Sequence, residues 1–404
     1  MNIPACRFFN ALAQFCRRVL SLFVSPAVAQ LVVLSLASGF AQEAVAQDYL
    51  FTNDDLIPNG VSFYTIGSNG ALTFSFQLQG PGGGIGGGFF GMNRLAALNI
   101  GSTQCIFASE AFTNDVLWIV PGTGVVGGAT MGSQSDTGTS NGIGLAANAQ
   151  YLYASFSGSS TIATFQVQQG CALAFVSDVV VGGLNGGFID GMAVHGTLLI
   201  ASYADGSIES FNIASGTPVA NGDKQASTGS AGGASYPNGI DITQDGHFAI
   251  FGDTSTADIV EVSDISAGRL TATTAYRTRA GISSSDVLLS PDETILYITN
   301  TQGAAVSAVF FDKNTGRVTP GCTSHRLRNY VQGWTYLGGL ALQQISGNGG
   351  GVYVAEFGGP SAIAVLDLTV NGSRCTLQES AASPVADPNS RGLLSIGRFP
   401  PRPF

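Results

Sequence analysis

The amino-acid sequence predicts an all-β protein, a seven-bladed β-propeller with four antiparallel strands in each blade. Three observations lead to this prediction. A short motif recurs seven times at intervals of about 50 residues. A run of aromatic and β-branched residues, which favour strands, follows most copies of the motif. No segment after residue 46 has the apolar period of a helix over a useful length.

The recurring motif is a pair of small or polar residues followed by a short apolar run, and each copy is expected to begin the inner strand of a blade. The copies start at Asn93, Asn141, Asp190, Asn238, Ser285, Gly338 and Ser390. Strand-like runs such as residues 151–155, 198–202 and 296–300 follow them. Repeats of this length fit propeller blades, whereas the alternative fold, a β-solenoid, usually has much shorter repeats.

The two ends of the repeat region are expected to close the ring. The chain enters its first blade at Tyr49 with a second-strand run that no motif precedes. The last motif, at Ser390, has no strand-like runs after it. We therefore predict that a strand near residues 393–398 pairs with the blade begun at Tyr49, because this pairing removes a free sheet edge.

The composition excludes several other classes of protein. The chain has 404 residues, of which 45% are hydrophobic and 10% charged, so it can bury a large core and is not disordered. Its 55 glycines have no three-residue period, which excludes collagen. The net charge of −10 argues against nucleic acid as a partner, because the phosphates would be repelled.

The N-terminal residues have the pattern of a secretory signal peptide. Arg17 and Arg18 precede an apolar stretch, and Ala44-Val45-Ala46 is a small-residue cleavage signature. A membrane anchor is the alternative interpretation of this stretch.

We predict a signal peptide at residues 1–46 and a single propeller domain at residues 47–404. The mature protein is expected to be a secreted or periplasmic monomer with no membrane span. Disulfides form in exported chains. The four cysteines after residue 46 are expected at the same face of the propeller, in pairs on neighbouring blades. The predicted disulfides are Cys105–Cys171 and Cys322–Cys375.

One stretch of the repeat resembles a known family. Residues 289–300 read Leu-Ser-Pro-Asp-Glu-Thr-Ile-Leu-Tyr-Ile-Thr-Asn, which resembles the S-P-D-x-x-x-L-Y-V-x-N repeat of lactonase-type, or YVTN-type, seven-bladed propellers. Residues 236–240 and 392–396 are similar to the same family. The resemblance covers the chain from Tyr49 to about Pro400. The family includes 6-phosphogluconolactonase-like and carboxymuconate-cyclase-like enzymes, so the resemblance implies lactone chemistry as one activity.

Polar side chains are expected to gather at one mouth of the central channel, where inner strands begin and second strands end. If this mouth binds a small molecule, Arg94 and Arg391 would hold its carboxylate or phosphate. Glu110 or Glu356 would then be the general base that activates water. Alternatively, the polar residues cap strand turns and the two arginines pair with the two glutamates.

A hard cation such as Ca²⁺ is the other candidate ligand of the mouth, because Asn and Asp offer only oxygen ligands there. No cofactor is required by the sequence. The candidate metal ligands are Asn141, Asp190, Asn238 and Asp286.

Three functions remain open on these observations. The favoured hypothesis is an exported binding or scaffold module. The second is a hydrolase that opens a small carboxylated or phosphorylated lactone, and the third is a surface interaction protein whose partner is unknown. Convergence of Arg94, Arg391, Glu110 and Glu356 in one pocket would favour the hydrolase.

Overall fold

The computed structural model describes a propeller. It covers residues 48–84, 93–130, 143–227, 237–254, 259–278, 283–301, 303–329, 336–344, 350–357, 361–390 and 396–399. Within these ranges, thirty β-strands form seven antiparallel sheets, which confirms the predicted all-β, seven-bladed fold. Among these residues, no helix has the length and apolar character that a membrane crossing requires. The predicted signal peptide lies outside them.

The first three blades contain the strands numbered β1 to β11. Blade 1 contains β1 (Tyr49–Asn53), β2 (Gly60–Ile66) and β3 (Leu72–Gln79). Blade 2 contains β4 (Leu95–Ile100), β5 (Thr103–Glu110), β6 (Asp115–Val120) and β7 (Val125–Thr130). Blade 3 contains β8 (Ile143–Ala147), β9 (Tyr151–Phe156), β10 (Thr161–Val167) and β11 (Leu173–Val180).

The remaining strands form blades 4 to 7 and the closing strand. Blade 4 contains β12 (Ile189–His195), β13 (Leu198–Tyr203), β14 (Ser207–Asn212), β15 (Val219–Ala220) and β16 (Gln225–Ala226). Blade 5 contains β17 (Pro237–Ile242), β18 (Phe248–Asp253), β19 (Ile259–Ser266) and β20 (Arg269–Arg277). Blade 6 contains β21 (Ser284–Leu289), β22 (Ile295–Asn300), β23 (Ala305–Asp312) and β24 (Arg317–Thr323). Blade 7 contains β25 (Tyr336–Gln344), β26 (Gly350–Phe357), β27 (Ala362–Asn371), β28 (Arg374–Glu379) and β29 (Val385–Ala386), and the closing strand is β30 (Ile396–Phe399).

The last strand of the chain is the inner strand of the first blade. The order of that sheet is β3-β2-β1-β30. β30 pairs antiparallel with β1, from Tyr49 opposite Phe399 to Thr52 opposite Ile396. The sequence placed this strand near residues 393–398, of which 393–395 lie outside the described part. The ring is thus closed by backbone hydrogen bonds between the two ends of the propeller.

The hydrophobic core lies between neighbouring blades. Successive side chains of a strand point to opposite faces of its sheet, and each face of a blade packs against another blade. In β1, Leu50 joins a cluster with Tyr353 of blade 7, whereas Phe51 joins a cluster with Ile106 of blade 2. Because both faces are covered, the second strands are apolar along nearly their whole length. This explains why the sequence shows five-residue apolar runs instead of a strict alternation.

Both predicted disulfides are present. Cys105 bonds to Cys171 and Cys322 bonds to Cys375, with Cα–Cα distances of 5.4 and 5.5 Å. The first disulfide joins blades 2 and 3, and the second joins blades 6 and 7. Cys171 precedes β11, the fourth strand of blade 3, whereas Cys322 lies near the end of β24 and Cys375 near the start of β28.

Reduction of the disulfides should destabilise the folded chain. A disulfide restricts the unfolded chain, and the two bonds link residues 66 and 53 positions apart. We expect the free energy of unfolding to fall by about 2–4 kcal/mol for each bond. Denaturant titrations with and without a phosphine reductant measure this change, and the double variants Cys105→Ser/Cys171→Ser and Cys322→Ser/Cys375→Ser separate the two bonds. An unchanged denaturation midpoint in reductant would contradict the expectation.

Candidate functional site

In four blades, the repeat motif forms a bulge at the start of the inner strand. In each of β12, β17, β21 and β25, the pairing with the second strand skips one extra residue at the motif. A bulge bends a strand and re-aims its side chains. The bulges contain Asp190, Asn238-Gly239, Ser285-Asp286 and Gly338-Gly339.

Glycine in the motif lets the inner strands approach each other. A Cβ atom on Gly191 would lie 2.0 Å from the carbonyl oxygen of Asn238 in the next blade. The same atom on Gly239 would lie 2.5 Å from the Cα atom of Asp286, one blade further. A side chain cannot fit at either position without moving backbone, so the motif requires glycine there.

Two aspartates of the inner strands clamp neighbouring blades together. Oδ1 of Asp286 accepts a hydrogen bond from the amide of Val287 at 3.0 Å, and Oδ2 accepts one from the amide of Leu340 in blade 7 at 2.8 Å. Asp241 makes the same arrangement with its following residue and with Leu289 of blade 6. Burial raises the pKa of Asp286 to about 7, the two amides lower it, and Asp241 adds a smaller increase. Asp286, predicted as a metal ligand, therefore has both carboxylate oxygens engaged by backbone.

Asp190 and Asn238 differ from these clamps because their side-chain oxygens are unengaged. Asp190 is 6% exposed, and no hydrogen bond or ion pair reaches its carboxylate from the described residues. Burial raises its pKa to about 7. Asn238 is 8% exposed, and its Oδ1 is buried with no partner in the same part of the chain. Two unpartnered polar groups thus lie at the same position of adjacent inner strands.

These groups do not make a complete Ca²⁺ site. Calcium takes six to eight oxygen ligands, whereas Asp286 is engaged by backbone amides and Asn141 lies outside the described residues. Among the described residues, no group of three or more His, Cys, Asp or Glu is placed to hold a metal ion. Asp190 and Asn238 alone are too few ligands, and no metal enters the chemistry proposed below.

Arg94 forms a buried ion pair with Asp55 of blade 1. Its Nη1 donates to Oδ2 of Asp55 at 2.5 Å, and the two side chains are 0% and 1% exposed. The structure therefore corrects both predicted roles of Arg94, as an anion-binding residue of the channel and as a partner of Glu110. A buried guanidinium requires an opposite charge, and Asp55 supplies it.

Glu110 is enclosed by the glycine-rich segment that joins blades 1 and 2. The amide of Gly82 donates to its Oε1 at 3.1 Å, and a Cβ on Gly82 would lie 2.4 Å from its Oε2. Burial raises the pKa of Glu110 to about 7, the Gly82 amide lowers it, and Asp115 raises it further. Glu110 is 0% exposed, so the structure does not place it where it could activate water in the channel.

Glu356 is also fully buried. Burial raises its pKa to about 7, Glu379 adds to the increase, and Asn329 lowers it. These neighbours belong to the outer strand of blade 7 and to the segment before that blade, away from the axis. Arg391 lies outside the described residues. The four residues expected to converge are therefore not brought together in the part that the structure describes.

A cavity of about 480 Å³ lies on the propeller axis, lined by the inner strands of all seven blades. Its polar lining residues are Asn93, Asp241 and Arg398, and the remaining side chains are apolar or absent. Asn93 spans part of the ring, because its Nδ2 donates to the carbonyl of Met192 in blade 4 at 3.1 Å. Asp190 is not part of the cavity lining, but it precedes the lining residue Met192 by two residues in β12, toward the end of the cavity where the inner strands begin.

Sequence reasoning missed three charged residues that matter here, Asp55, Asp241 and Arg398. Asp241 follows the motif Asn238-Gly239 by two residues, and this offset is a signal that could have pointed to the cavity lining. Asp55 directly follows Asp54 at the end of β1, and only its contact with Arg94 reveals its role.

Asp54 and Asp387 form a buried carboxyl pair near the closing strand. The hydroxyl of Thr52 lies 3.1 Å from Oδ1 of Asp54 and 3.0 Å from Oδ2 of Asp387, and it has one proton to donate. Burial is the main cause that raises the pKa of Asp54 to about 7, and the charge of Asp387 adds to the increase. Burial also raises the pKa of Asp387. A proton on one of the two carboxyls removes the repulsion between them.

We expect the protein to be more stable at pH 5 than at pH 8. The pKa of Asp54 is 3.8 in an unperturbed chain and about 7 in the fold, so the folded state holds a proton that the unfolded chain releases. The stabilisation by this proton is complete below the unfolded pKa of 3.8. Above it, the free energy of unfolding falls by about 1.4 kcal/mol per pH unit until the pH has risen through the folded pKa of about 7. Melting curves from pH 5 to 8 measure it. Asp54→Asn should reduce the decline and the exposed control Asp264→Asn should not; a melting temperature that rises with pH would refute the expectation.

The fold and the axial cavity define the class of protein, a seven-bladed propeller with a small-molecule-sized cavity on its axis. The family described as "Lactonase, 7-bladed beta-propeller" matches residues 134–390. The chain belongs to this family, as the resemblance of its repeat predicted. A sequence search among curated proteins finds no match.

Solved structures with the same fold include three bacterial proteins whose names refer to lactonases. A predicted 6-phosphogluconolactonase from Bacteroides uniformis is 13% identical, with a TM-score of 0.62 over 87% of this chain and 100% of that one. A second from Bacteroides fragilis is 14% identical, with a TM-score of 0.61 over 88% and 98%. The periplasmic gluconolactonase of Pseudomonas aeruginosa is 13% identical, with a TM-score of 0.51 over 69% and 82%. At these identities the similarity shows the fold alone.

Proposed function

We propose that the protein is a lactone hydrolase whose reaction takes place at the end of the axial cavity where the inner strands begin. The observation that carries this proposal is the carboxyl group of Asp190, which is 6% exposed, unpartnered among the described residues and two residues before Met192 of the cavity lining. Its pKa of about 7 suits a general base at neutral pH. Membership of the lactonase family supports the choice of reaction.

In the proposed reaction, the Asp190 carboxylate accepts a proton from water as the water oxygen attacks the lactone carbonyl carbon. The ring C–O bond then breaks, and the proton passes to the leaving alkoxide, which gives the open-chain hydroxy acid. Asn238, at the same position of the neighbouring inner strand, offers a side-chain amide that can donate to the carbonyl oxygen as negative charge develops there. Loss of a positioned base of this kind typically lowers the rate 10²–10⁴-fold.

We further propose that this activity is exerted outside the cytoplasm. The two disulfides support this location, because such bonds persist in oxidising compartments. The predicted signal peptide, the monomeric state, and the roles as a scaffold or surface interaction protein remain predictions.

The variant Asp190→Asn tests the proposed base. We expect its lactone turnover to fall by at least about 100-fold, because the amide cannot accept the proton. Base titration at constant pH, with the uncatalysed rate subtracted, measures the turnover. The turnover of the wild-type protein should rise as the pH increases towards 7. Asp264→Asn, at an exposed position of β19, is the matched control and should keep full turnover.

A folding defect is distinguishable from a catalytic one by melting curves. Replacing an unpartnered buried carboxylate by a neutral amide should raise the melting temperature at pH 8, since the charged form is disfavoured by burial. Full turnover in a folded Asp190→Asn variant would reject the proposal, as would a wild-type protein that hydrolyses no lactone.

A further inference from the structure

The chemistry of the axial cavity lining bears on the substrate. Five inner strands contribute residues with little or no side chain, and the other two contribute larger ones, among them Asp241 and Leu288. The small residues are Ala96, Ala97, Ala146, Ala147, Ala193, Ala341 and Gly397. Leucine, isoleucine and valine side chains from the same strands complete most of the wall. The small residues leave room on the axis, and the surface they leave is apolar.

Each of the three polar residues of the lining makes a hydrogen bond within the protein. Asn93 donates to the carbonyl of Met192 at 3.1 Å. Asp241 accepts from the amides of Ile242 and Leu289 at 2.8 and 2.7 Å. The Nη2 atom of Arg398 donates to Oδ2 of Asp48 at 2.8 Å, which matches its charge. The Nε atom of Arg398 is buried without a hydrogen-bond partner among the described residues. Most of the rest of the described wall is hydrocarbon surface.

The charges around the cavity also favour an uncharged ligand. A phosphate or carboxylate in the cavity would approach the Asp241 carboxylate, and the cation of the wall, Arg398, is already paired with Asp48. Arg94, the cation that the sequence assigned to anion binding, is bonded to Asp55 outside the cavity. The whole chain carries a net charge of −10, which further repels an anion. The volume of about 480 Å³ is within the range of small-molecule sites, which are mostly apolar with few polar groups.

We infer that the axial cavity binds the aliphatic tail of an uncharged lactone. This inference rests on the proposed function. It replaces the carboxylated or phosphorylated lactones expected from the sequence with uncharged lactones as the substrate class. The lactone ring lies at the Asp190 end, and the alkyl tail extends along the alanine-lined wall, where water is displaced by hydrocarbon. Burial of each methylene strengthens binding roughly fourfold.

A series of γ-lactones tests the inference by binding. γ-Butyrolactone, γ-octalactone and γ-dodecalactone share one ring and differ in alkyl tail length. Titration calorimetry on the Asp190→Asn variant measures their affinity without turnover. We expect affinity to rise by roughly fourfold per methylene until the cavity is full, and we expect 6-phosphogluconolactone to bind more weakly than γ-octalactone.

Filling the cavity supplies the matched pair of variants. Ala193→Leu adds bulk to the wall and should weaken binding of γ-dodecalactone at least about tenfold while changing γ-butyrolactone little. Ala275→Leu adds the same side chain at an exposed position of β20 and should change neither. Affinity independent of tail length, or a preference for the phosphorylated lactone, would overturn the inference.

The two proposals fail in different ways. Tail-dependent binding without hydrolysis of any of these lactones by the wild-type protein would support the apolar cavity and reject the hydrolase. Hydrolysis that depends on Asp190 but prefers the phosphorylated lactone would support the hydrolase and reject the apolar substrate class.

Discussion

A chain shortened to end at residue 389 should not form a stable propeller. The deletion removes β30, which pairs with β1 over four residue pairs, from Tyr49–Phe399 to Thr52–Ile396. It also removes Ile396, which is 6% exposed and belongs to the core cluster between blades 7 and 1. Backbone hydrogen bonds contribute about 1 kcal/mol each and burial of an isoleucine about 1.5–3 kcal/mol. The loss, on the order of 5 kcal/mol or more, is comparable to the whole stability of many domains.

The control for this deletion is a chain that ends at Phe399 and keeps β30. Its melting temperature should match that of the full chain. A milder test is Gly397→Val, because a Cβ at this position would lie 2.5 Å from the ring of Phe51. This variant should fold but melt at a lower temperature. A chain ending at residue 389 with an unchanged melting temperature would show that β30 contributes nothing to closure.

Arg94→Met should destabilise the protein by about 3–5 kcal/mol, the effect expected when one member of a buried ion pair is removed. Methionine fills much of the same volume, but the carboxylate of Asp55 then stays buried without its cation. Denaturant unfolding at pH 8 measures the change, and lowering the pH should recover part of it because Asp55 can then be protonated.

The double variant Arg94→Met/Asp55→Asn separates charge from packing. It should regain much of the stability lost in the single variant, since no uncompensated charge remains buried. Arg269→Met, at an exposed position of β20, is the control and should change the free energy of unfolding by less than about 0.5 kcal/mol. An Arg94→Met protein as stable as the wild type would contradict the role of the ion pair.

The regular part of the fold was predictable because each blade repeats the same physical pattern. A strand that is covered on both faces must be apolar along its length, and the runs at residues 151–155 and 198–202 show this directly. The disulfide partners were predictable for the same reason, since Cys105 and Cys171 occupy known places in adjacent repeats. The motif also indicated where inner strands of neighbouring blades approach each other, because Gly191 and Gly239 leave no room there for a side chain.

The candidate site was predictable only as a location. The repeat pattern indicates which residues lie where the inner strands begin, and Asp190, Asn238 and Asp286 do lie there. Their roles differ with their positions in the motif: Asp286, at the second position, is engaged by the amides of two strands, while Asp190, at the first, has no partner among the described residues. The partner of a side chain in one blade comes from the neighbouring blade or its connecting segment.

The sequence by itself determined the blade count, the strands, the disulfides and the family of this protein, because these follow from periodicity and from residue types within single repeats. Only the tertiary structure decided that Arg94 pairs with Asp55, that Glu110 is enclosed by the glycine-rich segment and that the axial cavity is apolar. Each of these depends on contacts between chain segments that are distant in sequence. Most buried charges are matched by a partner, whereas Asp190 has none among the described residues and burial raises its pKa to about 7.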